Sequence, residues 1–398
     1  MSGEGALAGL RVLDLGLLVQ GPQAALLLAD LGADVVTIEL PGVGDQARWI
    51  PVSMEDRRAP YFVGCNRGKR SVTLDLRVPA GREAFLRLVE GADVVISNFV
   101  PGTLERWELG WEVLSRRNPR LVLGSGSSFG PLGPDAGRRG ADLAGQAAAG
   151  LVRATGHDAT DASPVGVTIA DHIGSQNLAN GVLAALLARE RTGRGQHVEV
   201  SLLGGLIYAQ ASEFTYTFLT GRDAPPPAGG HPLIPMLYGV LPTADGAIAL
   251  VGVPEPQRKA FYAMIGRPEL GDDPRFDRPL LTHETRRALF ALLADTFREK
   301  TTASWETLLR EAGVRYAPVR RRSEVARDPG VYANGYLQRI EHPEWGEMPA
   351  VGVPIRLSDT PAAPGAVAPE LGQHTEEVLL EAGFAWEEIE ALREAGAL

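Results

Sequence analysis

Asp171 is the residue of this chain whose type and position best suit covalent chemistry. It follows a short, largely apolar segment, residues 167–170, and a long pattern of apolar residues at helix-like spacing starts directly after it. Gly174 and Gly181 lie inside that pattern, where each costs about 1 kcal/mol relative to alanine and would let another group approach closely. A carboxylate at the start of a helix can be a nucleophile, although most aspartates before helices serve only as N-caps. This stretch alone leaves both interpretations open.

Other motifs for nucleophilic or cofactor chemistry lack the context that their mechanism needs. Residues 126–130 match the G-x-S-x-G pattern of a nucleophile elbow, but a loop-like segment follows them, whereas an elbow leads directly into a helix. Glu39 lies where a dinucleotide-binding fold places its ribose-binding acid, but no G-x-G-x-x-G opens the preceding helix. The seven histidines form no ligand pair such as HExxH, so we predict no bound metal. The patterns therefore disfavour a hydrolase, an NAD enzyme and a metalloenzyme.

The composition is that of an ordinary globular protein with more than one structural unit. The chain has 398 residues, of which 44% are hydrophobic and 22% charged. A net charge of −10 argues against general nucleic-acid binding. Cys65 is the single cysteine, which excludes an intrachain disulfide framework and predicts a reducing, cytoplasmic setting. We predict no membrane association, because no apolar run is long enough to span a bilayer and no signal peptide is recognised.

The elements around Asp171 alternate between strand and helix. Short apolar strands are predicted at residues 10–15, 34–39, 71–76, 93–96 and 120–124, with helices at 22–31 and 79–90. This alternation predicts an α/β fold with a parallel sheet and helices on its faces. The Asp171 helix is predicted to stop at the glycine-rich residues 192–195, before a strand at 197–202.

Two segments rich in proline and glycine, residues 221–232 and 360–369, interrupt this pattern. Between them, a strand is predicted at 247–253 and helices at 256–264, 283–299 and 304–312, which indicates a smaller α+β domain. A single amphipathic helix is expected over 372–398. The predicted organisation is a large domain over 1–220, a linker at 221–233, a small domain at 234–319, a second linker at 320–369, and a helical return to the large domain at 370–398.

Six ordered blocks of sequence make this chain resemble the family III CoA-transferases, also called the CaiB/BaiF family. The blocks are RVLDLGLLVQGPQAALLLADLGADVVTIELPG, NRGKRSVTLDLR, NFVPGTLERWELGW, the Asp171 helix with RTGRGQHVEVSLL, YGVLPTADG and PELGQHTEEVL. Their order and spacing, rather than any single block, make the match specific. The resemblance implies a Rossmann-like large domain built from both ends of the chain, a smaller inserted domain, and a homodimer whose two chains interlock.

The resemblance also assigns roles to individual residues. Asp171 matches the catalytic aspartate of the family. The positions that match CoA-binding residues are Leu74, Arg77, Asn98, Phe99, Arg106 and Arg139. Further candidates for the site are Leu18, Val19, Asp142, Gln146, Gly229, Gly230 and Tyr238. The two glycines would form a mobile cover in such enzymes, with a plain linker turn as the alternative.

The implied reaction moves CoA from an acyl-CoA thioester to a small free carboxylic acid, through an aspartyl anhydride and an aspartyl-CoA thioester. CoA is then a cosubstrate, and no permanently bound cofactor is expected. The diphosphate and 3′-phosphate of CoA need several cationic donors, which arginines can supply. The anhydride must also be shielded from water.

Two other functions stay open at this point. The α-methylacyl-CoA racemases of the same family need a second acid–base residue, a histidine in a GHD segment. Here the matching segment is Gly140-Ala141-Asp142, and alanine cannot accept a proton, which favours the transferase. A catalytically silent CoA-binding relative is the other alternative, and it would have no need of Asp171.

Overall fold

The structure is a computed structural model that describes residues 5–156, 161–225, 230–234, 237–253, 255–276, 282–365 and 367–398. The chain divides into two compact units. The first unit comprises Met1–Ala149, Gly166–Ala209 and Asp328–Leu398, and the second comprises Gly150–Val165 and Gln210–Arg327.

The strands of the described residues form three sheets. They are β1 (Arg11–Asp14), β2 (Asp34–Glu39), β3 (Arg70–Thr73), β4 (Val94–Ser97), β5 (Val122–Ser127), β6 (His197–Ser201), β7 (Tyr238–Pro242), β8 (Ala247–Val251), β9 (Tyr316–Pro318), β10 (Leu337–His342) and β11 (Gly346–Val351).

The helices connect and cover these strands. They are α1 (Gln20–Asp30), α2 (Pro60–Asn66), α3 (Pro79–Glu90), α4 (Thr103–Arg106), α5 (Trp111–Arg117), α6 (Asp142–Ala148), α7 (Leu151–Ala154), α8 (Ile169–Thr192), α9 (Leu202–Ala209), α10 (Ala211–Thr220), α11 (Glu255–Met264), α12 (His283–Phe297), α13 (Thr302–Glu311), α14 (Arg322–Val325), α15 (Pro329–Ala333), α16 (Thr375–Glu381) and α17 (Trp386–Glu394). Short 3₁₀ turns occur at Gln46–Trp49 and Pro268–Gly271.

The first unit is built on a six-stranded parallel sheet of order β3-β2-β1-β4-β5-β6. The predicted α/β fold with a parallel sheet is thereby confirmed. Because all six strands run in one direction, their carboxyl ends meet at one edge of the sheet. The strand order reverses between β1 and β4, and ligands of open α/β sheets bind in the crevice at such a switch point. Asp14 and Ser97 end the two strands there.

Alternation along the strands sends neighbouring side chains to opposite faces, and each face has its own core. Val12 of β1 faces α1 and α8, where it packs with Leu28 and Val182. Leu13, its neighbour, packs on the other face with Phe85 of α3 and Val378 of α16. Burial on both faces explains why these strands are short, continuous apolar runs in the sequence.

The second unit has an antiparallel sheet of order β7-β8-β9 and the helices α11, α12 and α13. Trp305 is fully buried in its core, where it stacks on Phe297 with ring centroids 4.2 Å apart. Thr282 and Thr301 cap α12 and α13 by accepting backbone N–H bonds from Thr285 and Ser304.

Two expectations about the C-terminal part differ from the structure. The segment 320–369, predicted as a linker, holds α14, α15 and the antiparallel hairpin β10–β11. The single helix expected over 372–398 is two helices, α16 and α17. Gly383 adopts φ +81° between them, a left-handed conformation that ends α16 and that glycine adopts at little cost.

Candidate active site

Helix α8 carries Asp171 in its first turn rather than at its N-cap. The helix begins at Ile169, and Thr168 is its N-cap, with a side chain that makes no capping hydrogen bond. The N-cap interpretation of Asp171 is therefore wrong. The N–H of Ile169 bonds to the carbonyl of Val167, but the N–H groups of Ala170 and Asp171 would remain unsatisfied without a partner from elsewhere.

That partner is the carboxylate of Asp142, which comes from the start of α6. Its Oδ1 accepts hydrogen bonds from the backbone N–H of Ala170 at 2.7 Å and of Asp171 at 3.3 Å. Its Oδ2 accepts a 2.6 Å bond from Nε2 of the buried Gln146 one turn later on α6. Asp142 thus caps a helix that lies 28 residues further along the chain, and its negative charge suits the positive end of the helix dipole.

The carboxylate of Asp171 is half-buried, and no described residue donates a hydrogen bond to it. Burial raises the pKa of Asp171, the neighbouring charge of Asp142 raises it further, and together they bring it to about 7. A carboxylate without donors keeps its oxygen lone pairs available, and a raised pKa makes it a stronger base. Both properties suit a nucleophile.

Glycines seat α8 closely against the elements around it, as predicted for Gly174 and Gly181. A Cβ at Gly181 would lie 2.6 Å from Val198 of β6. One at Gly174 would lie 2.8 Å from the side-chain Nε2 of Gln20, and one at Gly126 of β5 would lie 2.5 Å from Oε1 of the same amide. Gln20 therefore occupies a slot between two glycines, where it is 3% exposed and its Nε2 has no described hydrogen-bond partner.

The loop between β1 and α1 lies at the switch point and is held from both sides. Asn98, which follows β4, accepts from the N–H of Leu17 at 2.8 Å and donates to the carbonyl of Leu17 at 2.9 Å. Leu18 has φ +63° and donates its N–H to Asp45 at 2.9 Å. A positive φ is uncommon for a leucine, so these polar contacts hold a strained backbone. Val19 is buried as the N-cap of α1.

A buried ion pair fixes the start of this loop. Lys69 and Asp14 have fully buried side chains, and Lys69 Nζ donates to Asp14 at 2.7 Å. The same ammonium donates to the carbonyl of Pro22 and to Asn66, while Asp14 accepts from the N–H of Gly16. All three protons of the ammonium are used, so the buried charge is fully compensated.

The predicted CoA-binding arginines differ in how far their guanidinium groups are bonded to other residues of the protein. Arg77 is exposed and donates Nε and Nη2 to Asp75, while its Nη1 donates to no described residue. Arg106 is exposed at the end of α4 and donates to Thr103. Arg139 is exposed in the segment between β5 and α6 and forms no ion pair with a described residue. The neighbouring basic residues Arg67, Lys69 and Arg70 are committed to internal ion pairs.

The structure brings most of the predicted CoA-binding positions to the carboxyl edge of the sheet. Leu74 and Arg77 follow β3, and Asn98 and Phe99 follow β4. Phe99 packs edge-on against Trp107 with centroids 5.2 Å apart and lines a cleft together with Ser127. Leu74 differs from the others, because its side chain is buried in the core of the first unit.

Polar contacts tie α8 to α1, and sequence reasoning missed two of the residues that make them, Gln23 and Ser175. His172 hydrogen-bonds through Nδ1 to the amide oxygen of Gln23, which also accepts from Ser175 at 3.0 Å. Burial lowers the pKa of His172, and it raises the pKa of the nearby Cys65 thiol to about 11. Both side chains are therefore neutral near pH 7. Gln20 and Gln23 are polar residues in an apolar helix, and that is the signal by which they could have been found.

Two of the predicted site residues meet in the second unit. A Cβ at Gly230 would lie 1.7 Å from the carbonyl oxygen of Tyr238, so this glycine permits close backbone packing. Tyr238 is half-buried at the start of β7. Gly229 lies outside the described residues.

The residues of the alternative sites have structural roles. Glu39, weighed as a ribose-binding acid, accepts two bonds from Arg48 and one from Ser71, so its carboxylate is part of an internal network. The loop expected after residues 126–130 is observed, since α6 begins only at Asp142.

Within the described residues, no group of histidine, cysteine and acidic side chains could hold a metal. The helices described here include none long and apolar enough to cross a membrane.

The sequence model of CoA-transferase family III matches residues 7–375. The chain belongs to this family. As a family III member, it is 37% identical over 393 residues to the succinyl-CoA:mesaconate CoA-transferase of Haloarcula marismortui, covering 95% of this chain and 97% of that protein. It is 34% identical over 369 residues to the succinyl-CoA–D-citramalate CoA-transferase of Chloroflexus aurantiacus, covering 92% of each. The family resemblance seen in the sequence is thereby confirmed.

Solved structures agree with this assignment. The family III chain matches the crystal structure of a CaiB/BaiF family protein from Brucella suis with a TM-score of 0.84 and 32% sequence identity. The match covers 95% of this chain and 100% of that chain. A third relative by sequence is the formyl-CoA:oxalate CoA-transferase of Streptomyces coelicolor, 31% identical over 413 residues and covering 99% of each protein.

Proposed function

We propose that this protein is an acyl-CoA:carboxylate CoA-transferase in which Asp171 is the nucleophile. The observation that carries the proposal is the half-buried carboxylate of Asp171, at the first turn of α8, to which no described residue donates a hydrogen bond. A carboxylate bound by donors would have to release them before attack, whereas this one is available for a thioester carbonyl.

The reaction has four steps. Asp171 attacks the thioester carbonyl of the donor, giving a mixed anhydride and CoA thiolate. The thiolate attacks the aspartyl carbonyl, giving an aspartyl-CoA thioester and the free donor acid. The acceptor carboxylate then attacks that thioester and releases the thiolate, which attacks the acyl carbonyl of the new anhydride. The acceptor leaves as its CoA thioester and Asp171 is regenerated as a carboxylate.

The remaining site residues support this chemistry by position. We propose that CoA lies along the carboxyl edge of the sheet, with Asn98 and Phe99 at the switch point and Arg77, Arg106 and Arg139 toward its phosphates. Leu74, whose side chain is buried in the core, would meet the adenosine only through its backbone. Arg139 is the best placed of these arginines to receive a phosphate, because it is exposed and forms no ion pair with a described residue. Arg77 would share its guanidinium between a phosphate and Asp75.

Relatives suggest the class of acids. Two of them are named for transfer from succinyl-CoA to mesaconate or D-citramalate, and another, from mouse, is named for transfer from succinyl-CoA to glutarate. We therefore propose a dicarboxylic acyl group as donor, acceptor or both.

We also propose a cytoplasmic homodimer. The exposed Phe218 and Leu219 at the end of α10 offer apolar surface of the kind found in protein interfaces.

The test is to incubate the protein with succinyl-CoA and then with hydroxylamine, and to locate the modification by mass spectrometry. An aspartyl hydroxamate on the peptide that contains Asp171 is expected, with exchange onto labelled mesaconate, glutarate or D-citramalate. Asp171→Ala should lose both the hydroxamate and the exchange while still binding CoA. Turnover retained in that variant would contradict the mechanism. Exchange of an α-proton into deuterated water without any labelling would instead identify a racemase.

A further inference from the structure

The cap on helix α8 links the nucleophile to a second carboxylate. Asp142 accepts from the N–H groups of Ala170 and Asp171 with one oxygen, and from Gln146 with the other. Gln146 is 1% exposed, so the amide that holds Asp142 is itself fixed by packing. The orientation of the Asp142 carboxylate is therefore set by three donors.

Asp142 also occupies the helix N–H groups that could otherwise stabilise the negative charge of Asp171. The N–H groups at the first turn of a helix normally stabilise a negative charge placed beside them. Here two of these groups are bonded to Asp142 instead, and among the described residues none donates to the Asp171 carboxylate. The cap thus withholds donors from the nucleophile and adds a like charge near it.

We propose that Asp142 is a positioning residue for the transfer reaction, because its carboxylate fixes the first turn of the Asp171 helix and places a second negative charge beside the nucleophile. The inference rests on the proposed function. When Asp171 becomes an anhydride or a CoA thioester, it loses its charge, and its repulsion with Asp142 disappears. The neighbouring charge therefore favours the covalent intermediates over the free carboxylate, in addition to making that carboxylate a stronger base.

Other groups near Asp171 do not place a negative charge beside its carboxylate. His172, next to it on α8, is bonded to Gln23 of α1, and the thiol of Cys65 on α2 is buried; the direction of both pKa shifts keeps these groups neutral at pH 7. Among the described residues of α1, α9 and β6, which pack against α8, the other titratable side chains are Asp30, Tyr208, His197 and Glu199. Asp30 is bonded to Arg67. Asp142 is the charge that, beside burial, raises the pKa of Asp171.

The test compares pH profiles of kcat/KM for the wild-type protein, Asp142→Asn, Gln146→Glu and the double variant Asp142→Asn/Gln146→Glu. The amide oxygen in Asp142→Asn would still accept from the N–H of Ala170, so the cap remains while the charge is lost. The assay uses succinyl-CoA with the acceptor that turns over fastest. Ionisations of the substrates are common to all four proteins and cancel in the comparison.

In the wild-type protein, kcat/KM should fall as the pH drops below about 7, because Asp171 becomes protonated. In Asp142→Asn, the pH at half-maximal kcat/KM should move down by about one unit, which is a tenfold change in the protonation equilibrium. Its plateau at high pH should be lower than that of the wild-type protein. In the double variant, the asparagine amide at position 142 donates to the glutamate carboxylate at position 146, so both the hydrogen bond and one negative charge are restored. The half-maximum should move back toward the wild-type value.

A cap with a merely structural role would lower kcat/KM equally at every pH and leave the half-maximum unmoved, and that result overturns the inference. In Gln146→Glu alone, the new carboxyl group lies against Asp142 and the pair holds one proton, so the charge near Asp171 and the half-maximum should stay as in the wild-type protein. If Asp142→Asn does not fold, Gln146→Lys carries the test, because an ammonium paired with Asp142 offsets its charge and should move the half-maximum downward. An unmoved half-maximum in this variant likewise overturns the inference. The two proposals fail on different results. If the wild-type protein forms no hydroxamate at Asp171, the transferase mechanism is refuted. If the wild-type protein forms the hydroxamate but the pH profile of Asp142→Asn is not shifted, only the role of Asp142 is refuted.

Discussion

Replacing the nucleophile Asp171 with asparagine should make the protein more stable above neutral pH. The folded protein holds a carboxyl group whose pKa is raised from 3.8 to about 7, first by burial and then by the charge of Asp142. Between these two pH values the folded state binds a proton that the unfolded chain has released. The free energy of unfolding therefore falls as the pH rises toward 7, and this contribution is lost above the folded pKa.

The size of the effect follows from that shift. One pKa unit corresponds to about 1.4 kcal/mol, so about 3 kcal/mol of stability should be lost between about pH 5 and about pH 8.5 through this single group. Asp171→Asn has no proton to release and should escape the loss. The variant should match the wild-type protein below about pH 3.8, exceed it by about 1.5 kcal/mol near pH 5, and exceed it by about 4 kcal/mol at about pH 8.5.

Urea unfolding of both proteins across this pH range measures the difference directly. Asp359→Asn, at an exposed loop position, serves as a control for the loss of one negative charge. A stability difference that does not change with pH would refute the electrostatic account of Asp171. A difference that favours the wild-type protein at high pH would show that donors, rather than burial and a like charge, surround the carboxylate.

Substitutions at three further positions test the elements that position the site. Lys69→Met leaves Asp14 buried without its partner and should lower the free energy of unfolding by about 3–5 kcal/mol, measured by urea unfolding. Gly145→Ala puts a Cβ 2.8 Å from Leu202 between α6 and α9, and should cost about 1–3 kcal/mol in the same assay and slow CoA exchange by displacing α6. Leu18→Asn should keep the melting temperature, because asparagine tolerates the positive φ, whereas Leu18→Val should lower it; equal melting temperatures would contradict the strain at this loop.

Most of the sheet could be predicted from the sequence because its strands are buried on both faces. The strand at 34–39 and the helix at 79–90 have the predicted bounds. The helix is marked by a proline at its first position and a glycine after its last. The hairpin β10–β11 was missed, since it carries charged and polar residues on short strands and lacks the apolar alternation of a strand with one buried face.

The site was only partly predictable, because its decisive contacts join residues far apart in the chain. Asp171 could be identified from its position before a helix and from the family resemblance. The bond from Asp142 to the backbone of Ala170 spans 28 residues, and the bond from Arg67 to Asp30 spans 37. No local spacing indicates such pairs. The sequence therefore indicates Asp142 as a candidate without its partner, and it does not show that Arg67 is committed to an internal ion pair.

The glycine contacts around α8 bear on how new substrate ranges can arise in this scaffold. A Cβ at Gly181 of α8 would lie 2.6 Å from Val198 of β6, and a Cβ at Gly174 of α8 or at Gly126 of β5 would meet the amide of Gln20. A larger residue at any of these three positions therefore requires Val198 or the Gln20 amide to move beside the helix that carries Asp171. In the loop between β1 and α1, by contrast, Asn98 and Asp45 hold only the backbone of Leu17 and Leu18, whose side chains are half-buried. Directed evolution for a different acid substrate should therefore select substitutions in that loop and almost none at the three glycines.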